Sequence, residues 1–109
     1  MKLKNFILRG KRGWCPEDTW NLDSYLARII SETTRYLAEN TNSYPYEMGK
    51  GQWAGTLKEI SEGIMATEVV DDFIEELTPD EYVIEMGKAF KKRKKALKLL
   101  IDYFEDLWD

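Results

Sequence analysis

The sequence predicts an all-α protein, a small bundle of three to four helices with a long C-terminal helix and a short N-terminal arm. Apolar residues recur at intervals of three and four over most of the chain, which is the spacing of one helix face. Proline precedes acidic residues at two places, a pattern typical of helix starts. The chain of 109 residues has only three prolines and seven glycines, so we expect one helical domain spanning residues 1–109.

The composition limits the chemistry that the chain can perform. It has no histidine, and so lacks the commonest general base and the commonest transition-metal ligand. Its one cysteine, Cys15, excludes a disulfide framework within one chain, and we expect it to be a small buried residue. The apolar run near the N-terminus is too short for a signal or a membrane span. We therefore expect a cytoplasmic protein without catalysis, metal or cofactor, and without a membrane partner.

The first half of the chain divides into an arm and a helix. Residues 1–13 are basic and contain no acid, and Gly10 and Gly13 bracket their end, which favours an arm. Pro16 suits the first position of a helix because its missing N–H would have no partner there. We expect this first helix over residues 16–39.

Residues 52–77 form a kinked helix or two helices. Their apolar stripe begins at Trp53 and moves to another face after Gly63, so the chain should break near that glycine. Thr78-Pro79-Asp80-Glu81 is then a capping box, in which the Thr78 hydroxyl and the Glu81 carboxylate each bond to the other residue's N–H.

A long helix over residues 79–108 follows this cap, and we expect it to organise the fold. At 1.5 Å per residue it would be about 45 Å long, longer than a compact domain of this size. It should therefore bend near Gly87, project from the body, or pack on a second copy. Its seam steps by three and four, as in a heptad pattern with one charged member, Arg93. The seam comprises Val83, Met86, Phe90, Arg93, Leu97, Leu100, Phe104 and Leu107.

Charges are segregated, although the net charge is only −4. Residues 68–85 carry eight acids and no base, and residues 88–98 carry seven bases and no acid. The two blocks either neutralise each other across an antiparallel helix pair, remain solvated, or bind partners. An acidic row can imitate the phosphates that a basic groove recognises; its candidate residues are Glu68, Asp71, Asp72, Glu75 and Glu76. A basic helix turn can contact nucleic acid; its candidates are Lys91, Lys92, Arg93, Lys94 and Lys95.

A crowded aromatic stretch surrounds the first helix start. We expect Trp14 and Trp20 to pack into the core, as large rings usually do. With Asn21, the Asp23 carboxylate should accept hydrogen bonds from backbone donors at the end of the arm. These four residues would form a structural latch between the arm and the first helix.

Glu59 and Glu62 form an E-x-x-E pair, and oxygen ligands of this kind suit magnesium. Nucleotide pyrophosphatases of the MazG type use two such pairs on separate helices. Only five residues separate this pair from the following E-x-x-D of Glu68 and Asp71. That spacing is too short to turn back comfortably, so a magnesium-dependent hydrolase is the third of our hypotheses.

Residues 9–66 resemble a group of small phage and prophage proteins without assigned function. The shared pattern is Arg-Gly-aromatic, a small acidic step, Trp-Asn-Leu-Asp, and a helix with Leu-Ala-x-x-Ile. Its positions here are Arg12 or Arg9, Gly13, Trp14, Asp18, Trp20, Asn21, Leu22, Asp23, Leu26, Ala27 and Ile30. A second part matches at Trp53, Leu57, Glu59, Ile60 and Gly63.

The resemblance implies a phage origin and no particular chemistry. The first hypothesis is a non-catalytic phage protein, in the cytoplasm of an infected bacterium, that inhibits a host defence complex or nuclease through its acidic segment, as an anti-CRISPR protein does. The alternative is a phage regulatory or structural protein that oligomerises through the seam of residues 83–107 and contacts nucleic acid with its basic turn.

Overall fold

The computed structural model describes residues 2–108, and over that range the chain is helical, without a strand. Three short 3-10 turns, Pro16–Thr19, Ile74–Glu76 and Phe104–Asp106, accompany five α-helices. The all-α fold class predicted from the sequence is confirmed. In the part of the chain so described, no helix is long and apolar enough to cross a membrane. The helices are α1 (Leu3–Arg12), α2 (Leu22–Asn40), α3 (Lys50–Ile64), α4 (Ala66–Asp72) and α5 (Pro79–Asp102).

The N-terminal segment predicted as an arm is the helix α1. Gly13 has a φ of 84°, in the left-handed region that glycine adopts without strain. Its N–H donates to the Arg9 carbonyl at 2.8 Å, so Gly13 is a helix cap and not the start of irregular chain. Basic residues in the last turn of α1 favour the negative end of the helix dipole. Residues 52–77 are divided between two helices, and α1 is a further one. The described residues therefore form five α-helices, where three or four were predicted.

The first long helix begins at Leu22 and not at Pro16. Pro16 starts only one 3-10 turn, which ends at Thr19. Asn21 then has φ −130° and ψ 62°, which is not a helical conformation. The helix predicted over residues 16–39 is therefore a capped turn followed by α2.

The chain breaks at Met65, close to Gly63, and α4 follows α3 directly. The capping box at Thr78 is confirmed: the Glu81 N–H donates to the Thr78 hydroxyl at 3.1 Å, and the Thr78 N–H donates to the Glu81 carboxylate at 3.0 Å. The helix that it starts, α5, runs through Gly87 and ends at Asp102, so it is about 36 Å long.

The central helix of the fold is α3, and not the long C-terminal helix. It packs against both α2 and α5, while α4 packs against α5. At the contact with α2, the hydroxyls of Ser31 and Ser61 donate to each other's backbone carbonyls at 2.8 and 2.6 Å. Four apolar side chains of α3, at helical spacing, are buried: Trp53, Leu57, Ile60 and Ile64.

The predicted seam of α5 supplies only the edge of its buried face, where Met86, Arg93 and Leu100 are partly buried. Ala89 and Ala96 are buried, whereas Val83, Phe90 and Leu97 are exposed. The alanine face is buried because α3 approaches α5 closely, and Gly63 of α3 faces Ala96 with no room for a larger residue. A Cβ at position 63 would lie 2.7 Å from the Ala96 Cβ and 3.0 Å from the Lys92 carbonyl oxygen.

Candidate partner-binding edge

The acidic edge consists of residues 68–76, the end of α4 and the 3-10 turn after it. The start of α4 is buried at Ala66 and Thr67. Every residue from 71 to 76 is exposed to solvent. The edge carries five acids and no base. Three apolar side chains stand among these acids and are each about half exposed: Val69, Phe73 and Ile74.

Two polar contacts fix the edge against α5. The Arg93 guanidinium donates to the Thr67 hydroxyl at 3.0 Å, and the Tyr82 hydroxyl donates to the Asp71 carboxylate at 2.9 Å. The second bond raises the pKa of the Tyr82 phenol, because loss of its proton would remove the donor beside a negative charge. The edge is therefore held in a set orientation, and Asp71 keeps an exposed carboxylate.

The acidic edge and the basic residues of α5 lie on neighbouring helices without an ion pair between them. α4 packs against α5, as an antiparallel pair would, yet no ion pair found in residues 2–108 connects residues 68–76 with residues 88–98. Lys95 instead pairs with Glu59 of α3 at 2.8 Å, and Lys88 pairs with Glu85 of its own helix. Four of the five acids of the edge are exposed to solvent, and the partly buried Glu68 accepts a hydrogen bond from the Thr67 hydroxyl at 2.9 Å.

The basic turn presents four exposed lysines, Lys91, Lys92, Lys94 and Lys95. Arg93 differs from them. It is only partly exposed, turns towards α4, and holds its guanidinium 5.1 Å from the centre of the Phe90 ring. Arg93 therefore has a structural role in this fold. The four lysines are exposed to a phosphate backbone, although Lys95 would first have to leave its ion pair with Glu59.

The latch between α1 and the rest of the chain is made by Asp18 and not by Asp23. Asp18 is buried and accepts hydrogen bonds from the Arg9 guanidinium, with 3.0 Å between Nε and Oδ2, and from the Cys15 N–H at 2.8 Å. The Tyr25 hydroxyl donates to the Gly13 carbonyl. Asn21 and Asp23 are exposed and make no such bond to the end of α1 within the described residues.

Neither tryptophan of the stretch packs into the core. Trp20 is 77% exposed and Trp14 is 42% exposed. The Trp14 ring lies under the Arg12 guanidinium at 4.0 Å, and Arg12 also donates to the Trp14 carbonyl at 3.1 Å. The core ring is Trp53, which is fully buried and meets the Tyr103 ring edge to face at 5.6 Å.

A local signal in the sequence identifies Asp18. Cys15-Pro16-Glu17-Asp18 has the same order as Thr78-Pro79-Asp80-Glu81, with a cap, a proline and two acids. In both, the carboxylate at the third helical position bonds back to the N–H of the capping residue. A cysteine in the capping position hides this pattern, since serine, threonine, aspartate and asparagine are the usual caps.

Glu59 and Glu62 do not form part of an acidic cluster. Glu59 pairs with Lys95, and Glu62 lines an open groove of about 810 Å³ between α2, α3 and α5 where arginines and lysines alternate with acids. Within residues 2–108, no three side chains of the His, Cys, Asp or Glu type are grouped to hold a metal ion.

No protein-family model, curated protein or solved structure matches this chain. The resemblance to small phage proteins therefore stays a prediction.

Proposed function

We propose that this chain is a non-catalytic binding protein whose acidic edge occupies a basic, nucleic-acid-binding surface of a partner protein. The proposal is supported mainly by the charged and apolar side chains that the edge exposes. Its five acids have no ion-pair partner among the described residues, and exposed Val69, Phe73 and Ile74 stand between them.

The two kinds of side chain have complementary effects on binding. Carboxylates spaced along a ridge attract the arginines and lysines that line a nucleic-acid groove, and they speed the encounter. Apolar side chains that become buried on contact stabilise the complex once it has formed. A helix face that is only solvated would carry acids without exposed apolar side chains. The exposure of Phe73 and Ile74 therefore favours a docking surface.

The partner class follows from the charge of the edge. A surface that normally neutralises phosphates presents the arginines and lysines that these carboxylates need. A phage-encoded antagonist of a host defence nuclease is one protein of this kind, and it remains the interpretation that the resemblance favours.

Neutralisation of the edge tests the proposal. The edge variant combines Asp71→Asn, Asp72→Asn, Glu75→Gln and Glu76→Gln. The control variant combines Glu39→Gln, Glu47→Gln, Asp102→Asn and Glu105→Gln, which are exposed acids elsewhere. Each variant removes four negative charges from a net charge of −4, so both have the same total charge.

Each tagged protein is incubated with nuclease-treated bacterial lysate, and the captured proteins are quantified. We expect the control variant to capture the same partner as the wild type, and the edge variant to capture at least about tenfold less. Equal losses in both variants would show that only net charge matters, and the acidic edge would lose its assigned role. Unchanged far-UV circular dichroism confirms that each variant is folded.

A second candidate function is nucleic-acid contact through the basic turn, favoured by the exposure of its four lysines. The test variant replaces Lys91, Lys92, Lys94 and Lys95 by alanine; its control replaces Lys4, Lys11, Lys50 and Lys58, which are also exposed. If the turn binds a phosphate backbone, only the first variant weakens binding to duplex DNA and flattens its salt dependence. Equal, weak binding by the wild type and both variants would exclude this function.

A further inference from the structure

Helix α5 exposes an apolar stripe that has no role in the proposed binding edge. Val83, Phe90 and Leu97 lie seven residues apart and form an outer stripe on the helix, with Ile101 one turn further on. All four are exposed, between 39% and 74%, because α5 turns the face of Ala89 and Ala96 towards α3. Helices pair through two apolar positions in each heptad. This stripe supplies one of them, and the second position on the same face is Gly87, Lys94 and Ile101.

The shape of the molecule leaves this stripe uncovered. Its extents are 44 × 41 × 20 Å, so it is a layer about two helices thick. The accessible surface is 8086 Å², whereas a compact monomer of 12.8 kDa exposes about 6,300 Å². The difference, about 1,800 Å² over the whole molecule, is more than the roughly 800 Å² that one partner buries in a standard interface.

We infer that α5 pairs with α5 of a second copy of this chain, antiparallel and centred on Phe90. In this arrangement, Val83 of each copy packs beside Leu97 of the other, and the two Phe90 rings meet at the twofold axis. The same stripe of each copy thus covers the stripe of the other, as an isologous interface requires.

The charges away from the centre of α5 favour the antiparallel direction, in which only the bases next to Phe90, such as Lys91, lie beside their own copies. A parallel pair would lay the seven bases of residues 88–98 beside their own copies. In the antiparallel pair, residues 94–98 lie opposite residues 82–86, a stretch with no base and one acid, Glu85. Asp80 and Lys98 are 18 residues apart, five helical turns, and so lie on the same flank of the stripe. Across the axis, Asp80 of one copy comes within about 3 Å along the helix of Lys98 in the other.

The mass in solution tests the pairing. Light scattering after size exclusion, over a concentration series, should give twice the 12.8 kDa of one chain for the wild type. Phe90→Glu should give the mass of one chain, because the carboxylates would meet at the axis. Phe73→Glu is the matched control, since Phe73 is 52% exposed and Phe90 is 51% exposed; it should remain a dimer. A monomeric wild type, or a dimer that survives Phe90→Glu, would overturn the inference.

Cross-linking with a short bismaleimide tests the direction, and the native Cys15 is buried. Val83→Cys alone should not cross-link, because two such residues would lie about 21 Å apart in the antiparallel pair. A mixture of Val83→Cys and Leu97→Cys should cross-link, as should Phe90→Cys alone. Cross-linking of Val83→Cys with itself would show a parallel pair and overturn the assignment. Lys88→Cys, on another face of α5, provides the background rate.

The pairing is independent of partner binding, and the same variants separate the two. Phe73→Glu should lose the captured partner and keep the dimer mass, while Phe90→Glu should lose the dimer mass and keep the partner. Failure of one claim leaves the other standing.

Discussion

Asp18 joins the N-terminal helix to the rest of the chain. Its carboxylate accepts from Arg9 of α1 and from the Cys15 N–H, and α1 makes few other contacts with the body, with Leu3 and Phe6 exposed. Loss of this carboxylate removes both bonds, so it should release α1, loosen the turn at Cys15 and expose the fully buried thiol, with little effect on the central helices.

We expect Asp18→Asn to increase the reaction rate of Cys15 with a thiol reagent at pH 7 by at least about tenfold. The amide would keep part of the hydrogen bonding but not the charge that strengthens the bond to Arg9. Asp23→Asn is the control, because Asp23 is exposed and should leave the rate unchanged. Equal rates in the wild type and both variants would place the anchoring of α1 elsewhere.

The same carboxylate makes stability depend on pH. The Arg9 guanidinium holds the pKa of Asp18 well below its ordinary value, against the opposing effect of desolvation. The folded chain thus binds this proton less readily than the unfolded chain. The stabilisation is complete above about pH 4, the ordinary carboxyl pKa, and decreases as the pH falls below it.

We expect the urea midpoint of the wild type to fall more steeply than that of Asp18→Asn between about pH 5 and pH 2. The carboxylates shared by both proteins contribute equally, so the difference between the two slopes reports Asp18 alone. Parallel slopes would mean that the Asp18 carboxyl has the same pKa in the folded and unfolded chains.

At the scale of elements, the crossing of α3 and α5 sets which face of the long helix is buried. Gly63 lets the backbones approach until Ala96 fills the contact. Close packing of this kind leaves no room for one further methyl group, because the nearest atoms belong to backbone and to a short side chain.

Gly63→Ala should destabilise the protein by about 1–3 kcal/mol, since the added Cβ forces the two helices apart. Gly55→Ala, on the same helix with no atom within 4 Å of its added Cβ, should stabilise it by about 0.5–1 kcal/mol. Urea denaturation of the two variants measures both effects. Two changes of the same sign would show that the crossing tolerates a larger residue.

Local chemistry predicted the elements better than it predicted their faces. The cap at Thr78 and the break near Gly63 depend on a few neighbouring residues, and both could be read from the sequence. Helix α1 was wrongly predicted as an arm, because a glycine such as Gly13 can end a helix or begin a loop. The buried face of α5 was missed because Ala89 and Ala96 carry little apolar surface, and only their contact with α3 distinguishes them from the larger outer stripe.

At the scale of the whole molecule, the position of the charged residues decides the candidate site. One of the arrangements that the sequence allows sets the two blocks of opposite charge on neighbouring helices, and α4 does pack against α5. The sequence left ion pairing and solvation of the acids as alternatives, because the choice depends on contacts between helices such as the bonds of Thr67 to Arg93 and of Asp71 to Tyr82. The half-exposed Val69, Phe73 and Ile74 were likewise indistinguishable from core residues in the sequence alone.

The most direct measurement of the central claim is competition between short duplex DNA and the immobilised protein for the captured partner. If the acidic edge occupies a nucleic-acid groove, excess DNA should release the partner from the beads, and moderate salt should also release it, because both weaken the same contacts. A partner that stays on the beads while it binds the added DNA would contradict the claim. In that case the acidic edge would bind a surface other than the groove.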